Sequence, residues 1–259
     1  MSGALFSKVV GRLKRDASRL LARRTVTIAP FTPIVSFTFD DFPRSALHTA
    51  GKILLEHGFR GTYYASFGLM NRTAPTGEIF TCDDLSEFTR QGHELGCHTF
   101  DHCHSWDTAP TEFEASILRN KRAAADLLPG LMMKSLSYPI SGPRPATKRR
   151  IRRHFHCARG GGQRFNRGAT DVRFLSAFFI EQSRENFAAI QQVIDFNAQA
   201  KGWLIFVTHD VSVSPTPYGC PPGLFEKIVA SVAQSRAQVL PVYEAFSALT
   251  GHPTGALKH

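Results

Sequence analysis

No apolar run in this chain approaches the ~20 residues of a membrane-spanning helix. The longest stretches, such as 203–207 and 178–180, have strand length, which excludes a polytopic membrane protein. No CxxC pair occurs among the five cysteines Cys82, Cys97, Cys103, Cys157 and Cys220. Their odd number argues against a full disulfide framework and favours a reduced compartment. There is no Gly-rich dinucleotide fingerprint, no phosphate-binding loop, no internal repeat and no linker long enough to split the chain. No signal-peptide layout is visible either, because Lys8, Arg12, Lys14 and Arg15 interrupt any apolar segment, so a cytoplasmic location is the expectation. What remains is ordinary globular composition. Of 259 residues, 42% are hydrophobic and 20% charged, enough to bury a large core and to exclude disorder as the main state.

The net charge of +10 is not evenly spread. Residues 1–24 carry seven basic residues and one acid, and residues 143–168 carry nine basic residues and no acid. The rest of the chain is net acidic. Such patches attract nucleic acid, anionic lipid or acidic glycans, or are simply solvated faces. No nucleic-acid-binding motif adjoins either one, which argues against nucleic acid. Within residues 4–24, Leu5, Phe6, Val9, Val10, Leu13, Ala17, Leu20 and Leu21 repeat at helical spacing, with basic residues on the other face. This amphipathic helix has two seats open to it: a peripheral membrane surface, or the body of its own domain. The expected division is a basic helix and lead-in over 1–29, then one catalytic domain over 30–259. Nothing in the pattern fixes an oligomeric state.

Strand and helix signals then alternate. Strands are expected at 34–39, 62–66, 93–98, 135–140, 156–159, 174–180, 202–208 and 238–242. Helices are expected at 45–57, from 81 or 83 to about 92, at 111–128, 147–154, 184–200, 224–234 and 242–249. Alternation argues a mostly parallel sheet covered by helices, and about seven units in this length favour a barrel over an open sheet. In such folds chemistry gathers at the C-terminal strand ends. Those ends carry Asp40-Asp41, His98 with His102 four residues on, Tyr138-Pro139-Ile140, and His209-Asp210. Asp41, His98 and His102 make a metal triad that leaves open positions for water and substrate, provided the segment between the histidines makes a helical turn. Neighbouring strand residues point to opposite sides, so both aspartates reach one pocket only if the strand end is distorted. One can then hold the metal while the other takes a proton from water.

These residues resemble the NodB-homology polysaccharide deacetylases, carbohydrate esterase family four. Thr38-Phe39-Asp40-Asp41 is similar to the first motif and His98-Thr99-Phe100-Asp101-His102 to the second. The apolar run 204–208 ending in His209 looks like the last. The resemblance covers approximately residues 30–250. It implies a distorted seven-stranded (β/α) barrel and metal-dependent removal of N- or O-linked acetyl groups from a carbohydrate. Carried over by position, Asp40 is the general base and His209 the general acid, and Asp41, His98 and His102 hold a divalent metal. Zinc is favoured, with cobalt, nickel, manganese or iron as alternatives. The Ile140 N–H would hold the oxyanion. Two departures stand out. Ser137 occupies the place of the third motif's arginine, for which Arg159 is the candidate substitute. The fourth motif is not recognisable, with Asp171 or Asp210 as candidate replacements. Trp106 and Tyr138 are candidate sugar contacts or rim and core residues, and Phe42 is a candidate to narrow the pocket. Cys97 and Cys103 flank the histidines, with core packing the reading for Cys97, and His104 reads as an exposed residue rather than a spare ligand. The rival readings are hydrolysis of another non-peptide C–N bond, and a glycan-binding relative without turnover.

Overall fold

The computed structural model describes residues 2–252, with side chains from Val10 onward, so the predicted apolar positions Leu5, Phe6 and Val9 lie outside the described side chains. The strands are β1 Thr25–Ile28, β2 Ile34–Asp40, β3 Thr62–Ala65, β4 Thr73–Ala74, β5 Gly77–Glu78 and β6 Glu94–Cys97, then β7 Ser135–Ser137, β8 Cys157–Arg159, β9 Gly168–Asp171, β10 Phe178–Phe179, β11 Trp203–Thr208 and β12 Gln238–Val239. The helices are α1 Ser2–Leu20, α2 Lys52–Glu56 (preceded by a π-helical turn, Ala46–Gly51), α3 Cys82–Gln91, α4 Pro110–Leu127, α5 Pro145–Ile151, α6 Phe187–Ala200, α7 Pro222–Gln234 and α8 Val242–Thr250.

Seven strands form one curled parallel sheet in the order β10-β11-β2-β3-β6-β7-β8, and β12 pairs with the first two residues of β2. This is the distorted (β/α) barrel the alternation implies. Its edges approach through one segment: Leu175 bridges in parallel to Arg159 of β8, and Phe178 pairs with Phe206 of β11. That bend explains why the strand expected over 174–180 shrinks to two residues. The strand expected over 135–140 stops at Ser137, because Pro139 cannot donate to a ladder and Ile140 is left-handed at φ 66. Two pairings were not foreseen: the antiparallel ribbon β1·β9 and the short hairpin β4·β5.

Period-two alternation sorts the central strands into two faces. Val35, Phe37 and Phe39 of β2 join Leu204 and Phe206 of β11 in the core beneath the helices. Ile34 joins Trp203, Ile205 and Val207 in a second cluster on the barrel's inner face. Ser36, Thr38 and Asp40 follow Ile34 at two-residue spacing, so Asp40 ends the inner column. Every residue of β2 and β11 is buried, which is why both read as near-continuous apolar runs. Local signals close the helices. Thr81 and Asp84 form a capping box at the start of α3, which ends at left-handed Gly92, and Asn186 caps α6.

Candidate metal centre and active site

Backbone geometry brings the two aspartates together. β2 ends at Asp40, and the chain then enters the left-handed region at Asp41 (φ 63) and Phe42 (φ 56). This is the distortion needed to place consecutive side chains in one pocket, and for non-glycine residues it is strain that the surroundings must hold. Phe42 supplies part of the hold. It is fully buried, its ring centroid 4.6 Å from Phe80 and 4.9 Å from Tyr63, and its carbonyl accepts from Phe80 N at 3.0 Å. Phe42 therefore anchors the turn from the core side and does not narrow the pocket.

The histidine segment is built differently from the expected helical turn. Thr99 (φ 61) and His102 (φ 50) are both left-handed, and the Thr99 hydroxyl accepts from Cys103 N at 2.9 Å. Ser116 of α4 braces the same bend, accepting from Phe100 N at 3.0 Å and Asp101 N at 3.1 Å. The bend aims both imidazoles at Asp41. His98 Nε2 lies 3.7 Å and His102 Nε2 3.2 Å from Asp41 Oδ1. His98 donates from Nδ1 to the Ser137 carbonyl at 2.9 Å, which fixes its tautomer and leaves Nε2 for the centre. Burial pulls the His98 pKa down to about 4, with Asp40 and Asp41 opposing, so the ring is neutral, the ligating form.

The three groups each offer a ligand atom, and these lie within 4.8 Å of one another. Asp41 Oδ2 accepts from the Thr76 hydroxyl at 2.9 Å, whereas Oδ1 is buried without a hydrogen-bond partner. An orphaned carboxylate oxygen between two imidazole nitrogens costs free energy in the protein alone. A divalent cation is the group that would satisfy it, and two nitrogens with one oxygen fit zinc-type coordination.

Asp40 is held by a separate set. It accepts a hydrogen bond from Arg159 Nη2 at Oδ1 and one from the Ser137 hydroxyl at Oδ2 (3.3 Å). Ser137 stands where the resemblance places an arginine, and Arg159 supplies the guanidinium from the tip of β8. Arg159 is 1% exposed and lies over the Tyr64 ring at 4.8 Å. Gly96 makes that stack possible, since a Cβ there would meet Tyr64 at 2.4 Å. Burial pushes the Asp40 pKa up, but Arg159, His98, His209 and Ser137 together hold it below the ordinary carboxylate value. Asp40 is thus ionised and oriented.

His209 follows β11 directly and donates from Nδ1 to the Tyr218 carbonyl at 3.1 Å, leaving Nε2 available. Neither residue considered for the fourth motif supports its ring. Asp171 pairs with Lys148, and Asp210 locks the following loop through Thr216 N (2.9 Å) and the Thr216 hydroxyl (2.5 Å). Besides Asp40, a carboxylate within electrostatic reach of His209 is Glu181, at the end of β10. Burial pushes its pKa up to about 7, with His209 lowering and Asp40 raising it, and its Oε2 is buried without a partner. No spacing signal in the sequence pointed to Glu181, because a two-residue strand and a 3-10 turn deliver it.

The remaining candidates separate. Ile140, 64% exposed, sits on a tight turn closed by Ser141 N to Pro139 O at 2.6 Å and braced by the Ser105 hydroxyl on Pro139 O at 2.8 Å. Trp106 is half-buried, with Lys14 Nζ 5.6 Å above its ring. Tyr138 is a core residue, 5% exposed, its hydroxyl donating to Arg173 O at 3.1 Å, so it cannot stack on a sugar. Cys97 is buried, donation from Asn120 Nδ2 reaching its sulfur at 3.3 Å. His104 faces Asp107 and Ser141 rather than the centre.

Residues 30–155 match the family model described as polysaccharide deacetylase. The match spans just under half of the chain and includes Asp40, Asp41, His98 and His102. No curated protein matches the chain in sequence. Among solved structures, the chain is similar in fold to the chitin deacetylase of the fungal pathogen Colletotrichum lindemuthianum. The two are 14% identical, with a TM-score of 0.63, covering 90% of this chain and 96% of that one. It is also similar to a family 4 acetyl xylan esterase from Clostridium thermocellum in complex with a cobalt ion, at 18% identity, TM-score 0.57, and coverage of 85% and 93%. A third is a wild-type pseudoenzyme of carbohydrate esterase family four from Bacillus anthracis, at 11% identity, TM-score 0.56, and coverage of 83% and 66%. At these identities the likeness speaks for the fold.

Proposed function

We propose that this chain is a metal-dependent hydrolase that removes N- or O-linked acetyl groups from a carbohydrate. The observation that carries the reading is the convergence of Asp41, His98 and His102 on a buried, unpartnered Asp41 Oδ1, beside a second carboxylate kept ionised by Arg159. Zinc is the favoured metal, with cobalt, nickel, manganese or iron as alternatives. A bound divalent cation there would acidify water and polarise the acyl carbonyl. Asp40 takes the proton from the attacking water. Arg159 and Ser137 fix which oxygen of Asp40 faces that proton. The backbone N–H of Ile140 donates to the developing oxyanion from the rim turn. His209 delivers a proton from Nε2 to the leaving amine or alcohol, its ring held by the Tyr218 carbonyl. The family match and the chitin deacetylase and acetyl xylan esterase folds support a carbohydrate substrate.

The test is acetate release from a panel of acetylated oligosaccharides, before and after chelation and after divalent metal is returned. Activity should vanish with chelator and reappear with metal. Asp40→Asn should keep the metal and lose about 10²–10⁴-fold in turnover. His98→Ala and His102→Ala should lower metal content by elemental analysis. Turnover that survives chelation, or full occupancy in both histidine variants, sinks the reading.

A further inference from the structure

We propose that helix α1 docks the protein onto an anionic phospholipid bilayer, lying in the headgroup layer. The helix is docked along one face only. Its Ser18 hydroxyl donates to the Pro143 carbonyl at 2.8 Å, and Lys14 Nζ pairs with Asp107 Oδ1 at 3.0 Å. Leu13 and Leu20, seven residues apart and thus stacked on one stripe, lie close to half a turn away from Ser18. They are 62% and 67% exposed. Exposed Arg12 and Arg23 lie to one side of them, and exposed Asp16 sits between them on the same stripe. A helix packed merely as a strap would turn its leucines inward.

The fold also joins the two basic segments that the sequence keeps apart. Lys148 Nζ, fully buried, donates to the Ser18 carbonyl at 2.7 Å, the Leu21 carbonyl at 2.8 Å and Asp171 Oδ2 at 2.6 Å. This rivets the C-terminal end of α1 to α5 and sets exposed Arg149, Arg152 and Arg153 beside it. The C-terminal end of one basic segment thereby meets the other, with Arg159 and Lys148 withdrawn into buried ion pairs. Positive charge alone would suit nucleic acid equally, but exposed leucines beside arginines suit a surface that accepts apolar groups and carries negative headgroups. No helix among the described residues is long and apolar enough to cross a membrane, so α1 lies on the bilayer.

The test uses the full chain with vesicles of phosphatidylcholine, alone or mixed with phosphatidylglycerol. Sedimentation should show binding to the mixed vesicles only, weakening at high salt. Leu13→Glu with Leu20→Glu should lower affinity about tenfold per leucine. Arg12→Gln with Arg15→Gln and Arg23→Gln should lower it and flatten the salt dependence. Equal binding to neutral vesicles, no binding, or binding untouched by the leucine changes overturns the proposal. So does a dimer dissolved by the leucine changes, which gives the face to a second copy, or duplex-DNA binding that survives them. None of these readouts depends on turnover.

Discussion

The two ends of the barrel hold the same kinds of side chain in opposite conditions. At the N-terminal strand ends, Glu94 accepts from the Ser135 hydroxyl (2.5 Å), the Thr62 hydroxyl (3.2 Å) and Tyr243 N (2.7 Å). His93 accepts from Gly61 N at 3.1 Å and donates to Gln91 at 2.8 Å. These groups line a cavity of about 840 Å³, yet each already has its partners. At the C-terminal ends, Asp41 Oδ1, Arg159 Nε and Glu181 Oε2 are buried without partners, and Asp41, Phe42, Thr99, His102 and Ile140 are all left-handed. Unpartnered buried atoms occur at the N-terminal end too, at His156 Nε2 and Asn197 Oδ1; what sets the C-terminal end apart is that its unpartnered carboxylate oxygen, on left-handed Asp41, faces two imidazoles.

The contrast breaks first at Arg159. Replacing it with methionine leaves Asp40 buried without its counter-charge, and the expected cost is about 3–5 kcal/mol in urea unfolding. The double change Asp40→Asn with Arg159→Met should be milder than Arg159→Met alone, since both charges then leave together. Because Arg159 holds the Asp40 pKa down, the acid limb of any pH–rate profile should move to higher pH in the single variant. An unmoved limb would show that Asp40 does not depend on this guanidinium.

Glu181 gives the next largest effect. Its folded pKa of about 7 exceeds the ordinary glutamate value. Between the two, the folded state holds a proton that the unfolded state has released, so stability falls as pH rises through that window. The fall should reach about 2 kcal/mol and be absent in Glu181→Gln. A wild-type urea midpoint flat from about pH 4.5 to 7 would remove Glu181 from the strained set. At the opposite end, Glu94→Ala strands three donors, at a cost of about 1–2 kcal/mol because cavity water reaches some of them. No loss there would mean that the satisfied end is not stabilising.

How much of this could be read from residues alone divides by distance along the chain. Asp40-Asp41, His98 and His102 were visible because a strand end or a four-residue spacing marks them, and the barrel was visible because period-two and helical patterns alternate. Arg159 was visible only as a charge at a strand tip; its seat over Tyr64 depends on Gly96, sixty-three residues earlier. Glu181 was invisible, since its position comes from a bend between two sheet edges. Tyr138 and Phe42 misled because an aromatic beside a motif looks the same whether its ring faces solvent or core. The ribbon β1·β9 pairs Thr25 with Asp171, a non-local contact that no window of sequence contains. For α1 the period revealed two faces, but only packing shows which one is left bare.

The smallest expected effect is the sharpest test of the comparison. Asp41→Asn removes charge from the oxygen that faces two imidazoles while keeping an acceptor for the Thr76 hydroxyl. Measured without metal, its unfolding free energy should match the wild type within about 0.5 kcal/mol or exceed it. Glu94→Ala, a change at a half-buried carboxylate with its partners in place, should lower it. Measured with saturating divalent metal, the order should reverse at Asp41, because only the wild type gains stability from binding the ion in its folded state. If Asp41→Asn costs as much without metal as Glu94→Ala does, then Asp41 is an ordinary structural carboxylate and the two ends of the barrel do not differ in kind.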